Sequence, residues 1–120
     1  MYAVDIKKLT KENTNFRTVL HTGKFSQIVA MSLLVSEDIG EEVHPNTDQM
    51  LFIIEGEGEA IINGETREIE KHGVIFVPAG VTHNFKNTGD EKLKLFTVYA
   101  PPEHPDGTVH KTKAEAQKAE

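Results

Sequence analysis

The chain contains no cysteine among its 120 residues. It can therefore form neither a disulfide nor a thiolate metal site, and any metal it binds must be held by nitrogen and oxygen donors, which excludes zinc-finger architectures. It also lacks any apolar run near the roughly 18 residues that crossing a bilayer requires, and the N-terminal MYAVDIKKLTKEN has no apolar core of the signal-peptide kind. A cytoplasmic address with no membrane partner is expected. Positive charge is scarce too: 13 Lys and Arg against 19 Asp and Glu leave a net charge of −6. The lysines are scattered rather than gathered into a stripe, so no nucleic-acid partner is expected.

What is present describes an ordinary folded domain. Hydrophobic residues make up 38% and charged residues 27%, and 120 residues fit one core and one site per chain. Residues 26–36, SQIVAMSLLVS, are apolar and partly β-branched, and Gly23 supplies a turn before them. Further strands are expected at 50–54, 59–62, 66–69, 74–77 and 92–99, the last with Leu93, Leu95, Thr97 and Tyr99 on one face. Gly56 and Gly58 mark a bend or bulge. Asn63-Gly64 is the strongest hairpin signal, because both residues tolerate the positive φ of a type I′ turn. Pro78-Ala79-Gly80 stops one strand and Pro101-Pro102 another. Short strands about ten residues apart imply an antiparallel sandwich or barrel, with no long helix inside it. The one helix expected is C-terminal, where Thr112 and Glu115 form a capping box before an Ala-rich run.

Residues two apart on a strand point the same way, so Glu42 and His44 in GEEVH present a carboxylate and an imidazole on one side. Gln49 opens the next strand, and His83 follows the Pro78-Ala79-Gly80 turn. A lone histidine is more often a surface or hydrogen-bonded residue than a ligand, which leaves His21, His72, His104 and His110 unassigned.

The pattern formed by these residues resembles the cupin family, whose two motifs read G-x5-H-x-H-x3,4-E-x6-G and G-x5-P-x-G-x2-H-x3-N. Pro78, Gly80, His83 and Asn87 match the second motif, with Gly73 one residue closer to the proline than the pattern asks. In the first motif His44 fits the second histidine, Glu42 replaces the first, Gln49 stands where the glutamate should be, and Gly56 anchors the end. The tail YAPPEHPDGTVHKTKAEA and the EVHP and DQ segments are similar to those of small bacterial cupins of the RmlC-like kind.

The resemblance implies an all-β, double-stranded β-helix, a jelly-roll-like barrel over residues 1–107, with a partly helical tail over 108–120. It also implies a divalent metal, whether manganese, iron, nickel or zinc, held by Glu42, His44, Gln49 and His83. Phe85 and Tyr99 are candidates for lining the pocket, although such residues are more often plain core. The function expected is a metalloenzyme of the dioxygenase, isomerase or decarboxylase type acting on a small oxygen-rich molecule. A non-catalytic binding or sensing module with a structural metal is the alternative. A third possibility is a metal-free epimerase relative, which would pair His44 or His83 with Tyr99. A homodimer is expected, with residues 2–7 covering an open sheet edge.

Overall fold

Alternation of inward apolar and outward polar side chains shapes most of the chain. The computed structural model describes residues 1–119. Its elements run α1 (Ile6–Glu12), β1 (Arg17–Thr22), β2 (Gln27–Leu33), β3 (Asp48–Glu55), β4 (Glu57–Ile62), β5 (Glu65–Glu70), β6 (Val74–Val77), β7 (His83–Asn87), β8 (Leu93–Ala100), β9 (Val109–His110) and α2 (Lys113–Lys118). A six-stranded sheet has the order β6-β3-β8-β2-β1-β9, and a three-stranded sheet the order β5-β4-β7. Every strand pair is antiparallel. The result is the jelly-roll-like arrangement expected, with the short C-terminal helix in place.

The odd-numbered residues of β2, β3 and β8 form one inner face. Val29, Met31, Leu33, Leu51, Ile53, Leu93 and Leu95 are all buried there. They meet Ala60, Ile69 and Phe85 of the smaller sheet in one hydrophobic cluster. Each such side chain contributes about 1.5–3 kcal/mol by leaving water. Leu93, Leu95, Thr97 and Tyr99 share this face, as their spacing predicts.

Turn chemistry is likewise local. Asn63 and Gly64 have φ of 50° and 80° and connect Ile62 to its cross-strand partner Glu65. At the C-terminus Thr112 accepts from the Glu115 amide at 3.1 Å. The Glu115 carboxylate reaches back one residue further than a capping box requires, to the Lys111 amide.

Three elements depart from the sequence reading. Residues 6–12 form a helix, capped by the Asp5 side chain accepting from the Lys8 amide at 3.1 Å. This helix packs on β2, β3 and β8, the central strands of the sheet, and Lys94 of β8 donates to the Asn13 carbonyl at its end. Ile6 and Lys7 therefore belong to a helix on the central strands, while Tyr2 stacks on His21 of β1. β1 was hidden because Arg17 and His21 interrupt its apolar pattern. The two residues of β9 acquire strand character only by pairing with β1, Arg17 opposite His110. Among the described residues no helix is long and apolar enough to cross a membrane.

One irregular segment positions the site. Residues 37–44 run antiparallel beside β7: the Ile39 amide donates to the Phe85 carbonyl, and Glu42 and His83 exchange both backbone hydrogen bonds at 2.9 Å. Such a reciprocal pair sets two side chains on the same face of the ladder.

Candidate functional site

The backbone bridge between Glu42 and His83 brings the two sequence motifs together. His44, two residues on, is held by the Gly80 amide donating to its carbonyl at 2.9 Å. The His44 and His83 rings lie 5.1 Å apart between centroids. Both side chains are nearly withdrawn from solvent, as is Gln49. The Glu42 carboxylate is 3.6 Å from His44 Nε2.

Neighbouring groups determine the tautomer of each imidazole. His44 Nδ1 lies 3.0 Å from Glu103 Oε1, and His83 Nδ1 lies 2.9 Å from the Val81 carbonyl. Both partners are acceptors, so each Nδ1 carries the proton and donates it, which leaves Nε2 as the free lone pair in the neutral ring. His44 Nε2 is buried without a hydrogen-bond partner. Gln49 donates through Nε2 to Thr97 Oγ1 at 3.1 Å, and its carbonyl Oε1 is buried without a partner. Two unmet lone pairs inside a protein are costly, at about 1–3 kcal/mol each, unless something occupies them.

This is the chemical basis for a metal: two imidazoles in the coordinating tautomer, a carboxylate, and a carboxamide oxygen with nothing to accept from. The donor types suit a divalent ion of the first transition row. Among the described residues, however, no three His, Asp or Glu side chains are gathered closely enough to hold an ion by themselves. The fit therefore rests on the orphaned atoms of His44 and Gln49.

Glu103 is the residue the sequence reading missed. It follows two prolines in an irregular stretch, where no spacing marks it. Buried Gln27 places it, since its Oε1 accepts from the backbone amides of Glu103 and His104 and its Nε2 donates to the His104 carbonyl at 2.7 Å. Thr47 donates to the second Glu103 oxygen at 3.1 Å.

Tyr99 meets His44 edge-on at 5.7 Å and His104 edge-on at 5.2 Å. Burial pushes its hydroxyl above the ordinary tyrosine range, so it stays protonated. Phe85 is fully buried, 5.8 Å from the His83 ring. Of the histidines left unassigned, His21 stacks on Tyr2 and His72 is an exposed turn residue, whereas His104 reaches the site. Burial, then the charge of Arg17, lowers the His104 pKa to about 3. Asn87, the last residue of the second motif, holds the fold by donating to the Leu33, Leu34 and Glu91 carbonyls.

Known proteins resemble this chain in sequence and fold. The chain is 48% identical over 125 residues to the YrkC protein of Bacillus subtilis (strain 168), across 99% of this chain and 67% of that protein. The crystal structure of BH2720 from Bacillus halodurans matches with a TM-score of 0.96 and 44% identity, over 98% of this chain and 93% of that one. A predicted oxalate decarboxylase from Thermotoga maritima matches with a TM-score of 0.63 and 26% identity, over 66% and 69% of the two chains. The cupin domain family matches residues 29–99, a span that includes Glu42, His44, Gln49, His83 and Tyr99. With its two sheets, its paired motifs and these relatives, the chain belongs to the cupin family.

Proposed function

We propose that the chain binds a divalent metal through His44, His83, Glu42 and Gln49 and acts as a metalloenzyme on a small oxygen-rich molecule. The observation that carries this reading is the buried His44 Nε2, with its Nδ1 proton committed to Glu103 and no partner of its own. A bound ion would supply Lewis acidity toward a substrate oxygen. Glu103 orients the His44 ring through the hydrogen bond to Nδ1, as outer carboxylates do for ligand histidines. Tyr99 keeps its proton at Oη and so is suited to donate a hydrogen bond to substrate. Phe85 excludes water from the His83 side. The activity named for the Thermotoga maritima relative supports the decarboxylase member of the dioxygenase, isomerase and decarboxylase set. The alternative of a structural metal in a ligand-binding module predicts binding without turnover.

Elemental analysis of protein purified without added metal is the first test, and Glu42 is the residue that discriminates. Loss of an outer-shell partner costs roughly 10–100-fold in metal affinity. Glu42→Ala is expected to cost at least that much in calorimetry on demetallated protein, and Glu42→His to restore affinity. Unchanged affinity in Glu42→Ala would remove it from the ligand set.

A second reading draws on one observation: the hydrogen-bonded Glu103–His44 pair stands beside Tyr99, which is the layout of an acid–base pair working without metal. Turnover of diketones, catechols or sugar phosphates that survives complete chelation would favour it.

We also propose a homodimer formed through the outer face of β3, β6 and β8. Phe52 stacks on Phe96 at 4.6 Å across the strands, with Val74 opposite Phe52 and Phe76 opposite Met50. Val74 and Phe76, on the terminal strand of the sheet, are 60% and 54% exposed. An apolar row of this kind at a sheet edge invites a second copy. Light scattering at micromolar concentration is expected to give the dimer mass, and Phe76→Glu the monomer mass. A monomeric wild-type chain would contradict the proposal.

A further inference from the structure

A cavity of about 220 Å³ has Arg17, Glu42, His104, Thr108, His110 and Ala116 of α2 in its wall. We infer that this cavity binds the carboxylate group of a small organic acid, with Arg17 as the side chain that recognises it. That the acid is the substrate of the neighbouring site rests on the function proposed above. The binding of a carboxylate does not.

The argument begins with a buried charge. Arg17 lies opposite Met31 on the core-facing side of β1 and is only 6% exposed. A guanidinium withdrawn from water to this extent is normally paired with an anion. Among the described residues, no carboxylate forms an ion pair with it. It is held instead by the neutral acceptor His110 Nδ1, 3.2 Å from Nη1, and by the Phe16 ring 5.4 Å below.

Two polar atoms on residues of this wall are buried without any partner, Arg17 Nε and His104 Nε2. A carboxylate would take the Nε–H bond and cancel the buried charge at once, through the forked geometry that matches guanidinium to carboxylate. His104 is neutral, because burial and the charge of Arg17 lower its pKa, and His110 is lowered for the same two reasons. Among the described residues of the wall, Arg17 is therefore the one cation.

Size and position narrow the ligand. At about 30 Å³ per water the cavity has room for about seven, enough for an acid of a few heavy atoms. Glu42 is the wall residue shared with the neighbouring site, its carboxylate 3.6 Å from His44 Nε2. Apart from Glu42, the wall residues named above lie outside the 29–99 segment matched by the family. Carboxylate recognition is thus a property that β1 and the C-terminal segment add to the shared site.

The test uses demetallated, ¹⁵N-labelled full-length protein titrated with sodium propionate, a monocarboxylate that chelates metals poorly, and with propionamide, its neutral isostere. Propionate is expected to shift the Arg17 Nε–H resonance saturably in the millimolar range, and propionamide to leave it in place. In calorimetry Arg17→Gln should weaken propionate binding at least tenfold, while Arg17→Lys keeps part of it. Equal shifts with both compounds, no saturation, or unchanged affinity in Arg17→Gln would overturn the inference. Should Arg17→Gln fail to fold, the comparison of the two compounds on the wild-type chain decides alone. Because no metal is present, a failure here is separate from a failure of the metal site, which elemental analysis reads independently.

Discussion

His44→Ala and His83→Ala are each expected to purify with about a tenth or less of the metal carried by the wild-type chain. Each deletes an imidazole contributed by a different motif, and the three remaining donors include only one nitrogen. A tenfold loss of affinity corresponds to about 1.4 kcal/mol, well within what the removal of one imidazole from a divalent ion costs. In His44→Ala the Glu103 carboxylate also loses the partner of its Oε1, keeping only the Thr47 hydroxyl on Oε2. Gln49→Ala should lose less, because water can replace a neutral carbonyl oxygen. Elemental analysis of the three variants purified side by side gives the order. Full metal content in both histidine variants would mean that the ion sits elsewhere in the chain.

The largest effect on stability is expected at Gly58, in the middle of β4. A Cβ built there would stand 2.2 Å from the Lys86 carbonyl oxygen of β7 and 3.2 Å from a Leu93 methyl. The first neighbour is backbone inside a hydrogen-bonded ladder, so relief requires β4 and β7 to separate. Gly58→Ala is expected to lose about 3 kcal/mol or more, at or beyond the upper end of ordinary overpacking. On a domain of this size that corresponds to a fall in Tm of roughly 10 °C or more. Gly64→Ala is the control. Its φ is 80° with nothing within 4 Å, so only the positive-φ cost of about 1–2 kcal/mol applies. Equal losses in the two variants, measured by urea unfolding, would show that the interstrand approach is not what requires glycine at position 58.

Much of the framework was readable from local pattern. Period-two alternation identified the inner face of β8, and Asn63-Gly64 announced its turn, because both signals are written in consecutive residues. The second motif marked His83 for the same reason. α1 escaped notice because its seven residues carry few apolar positions, and its place depends on Lys94 and the central strands. Glu103 escaped because its function depends on a buried glutamine 76 residues earlier. Arg17 carries no local signal in the sequence, and only its pairing with His110, 93 residues later, reveals a buried cation.

From the sequence by itself came the types of the donor groups, the nearness of the Glu42 and His44 side chains, although their segment is an irregular stretch rather than the strand expected, and the turns that bound each strand. Those features depend on backbone geometry over a few residues, where side-chain direction follows directly from spacing. Tertiary structure alone decided that Glu42 lies beside His83, that Glu103 takes the His44 Nδ1 proton, and that Arg17 shares a cavity wall with His104. These are matters of register between segments some 40 to 90 residues apart, and register is set by the packing of the whole inner face rather than by any one stretch of chain.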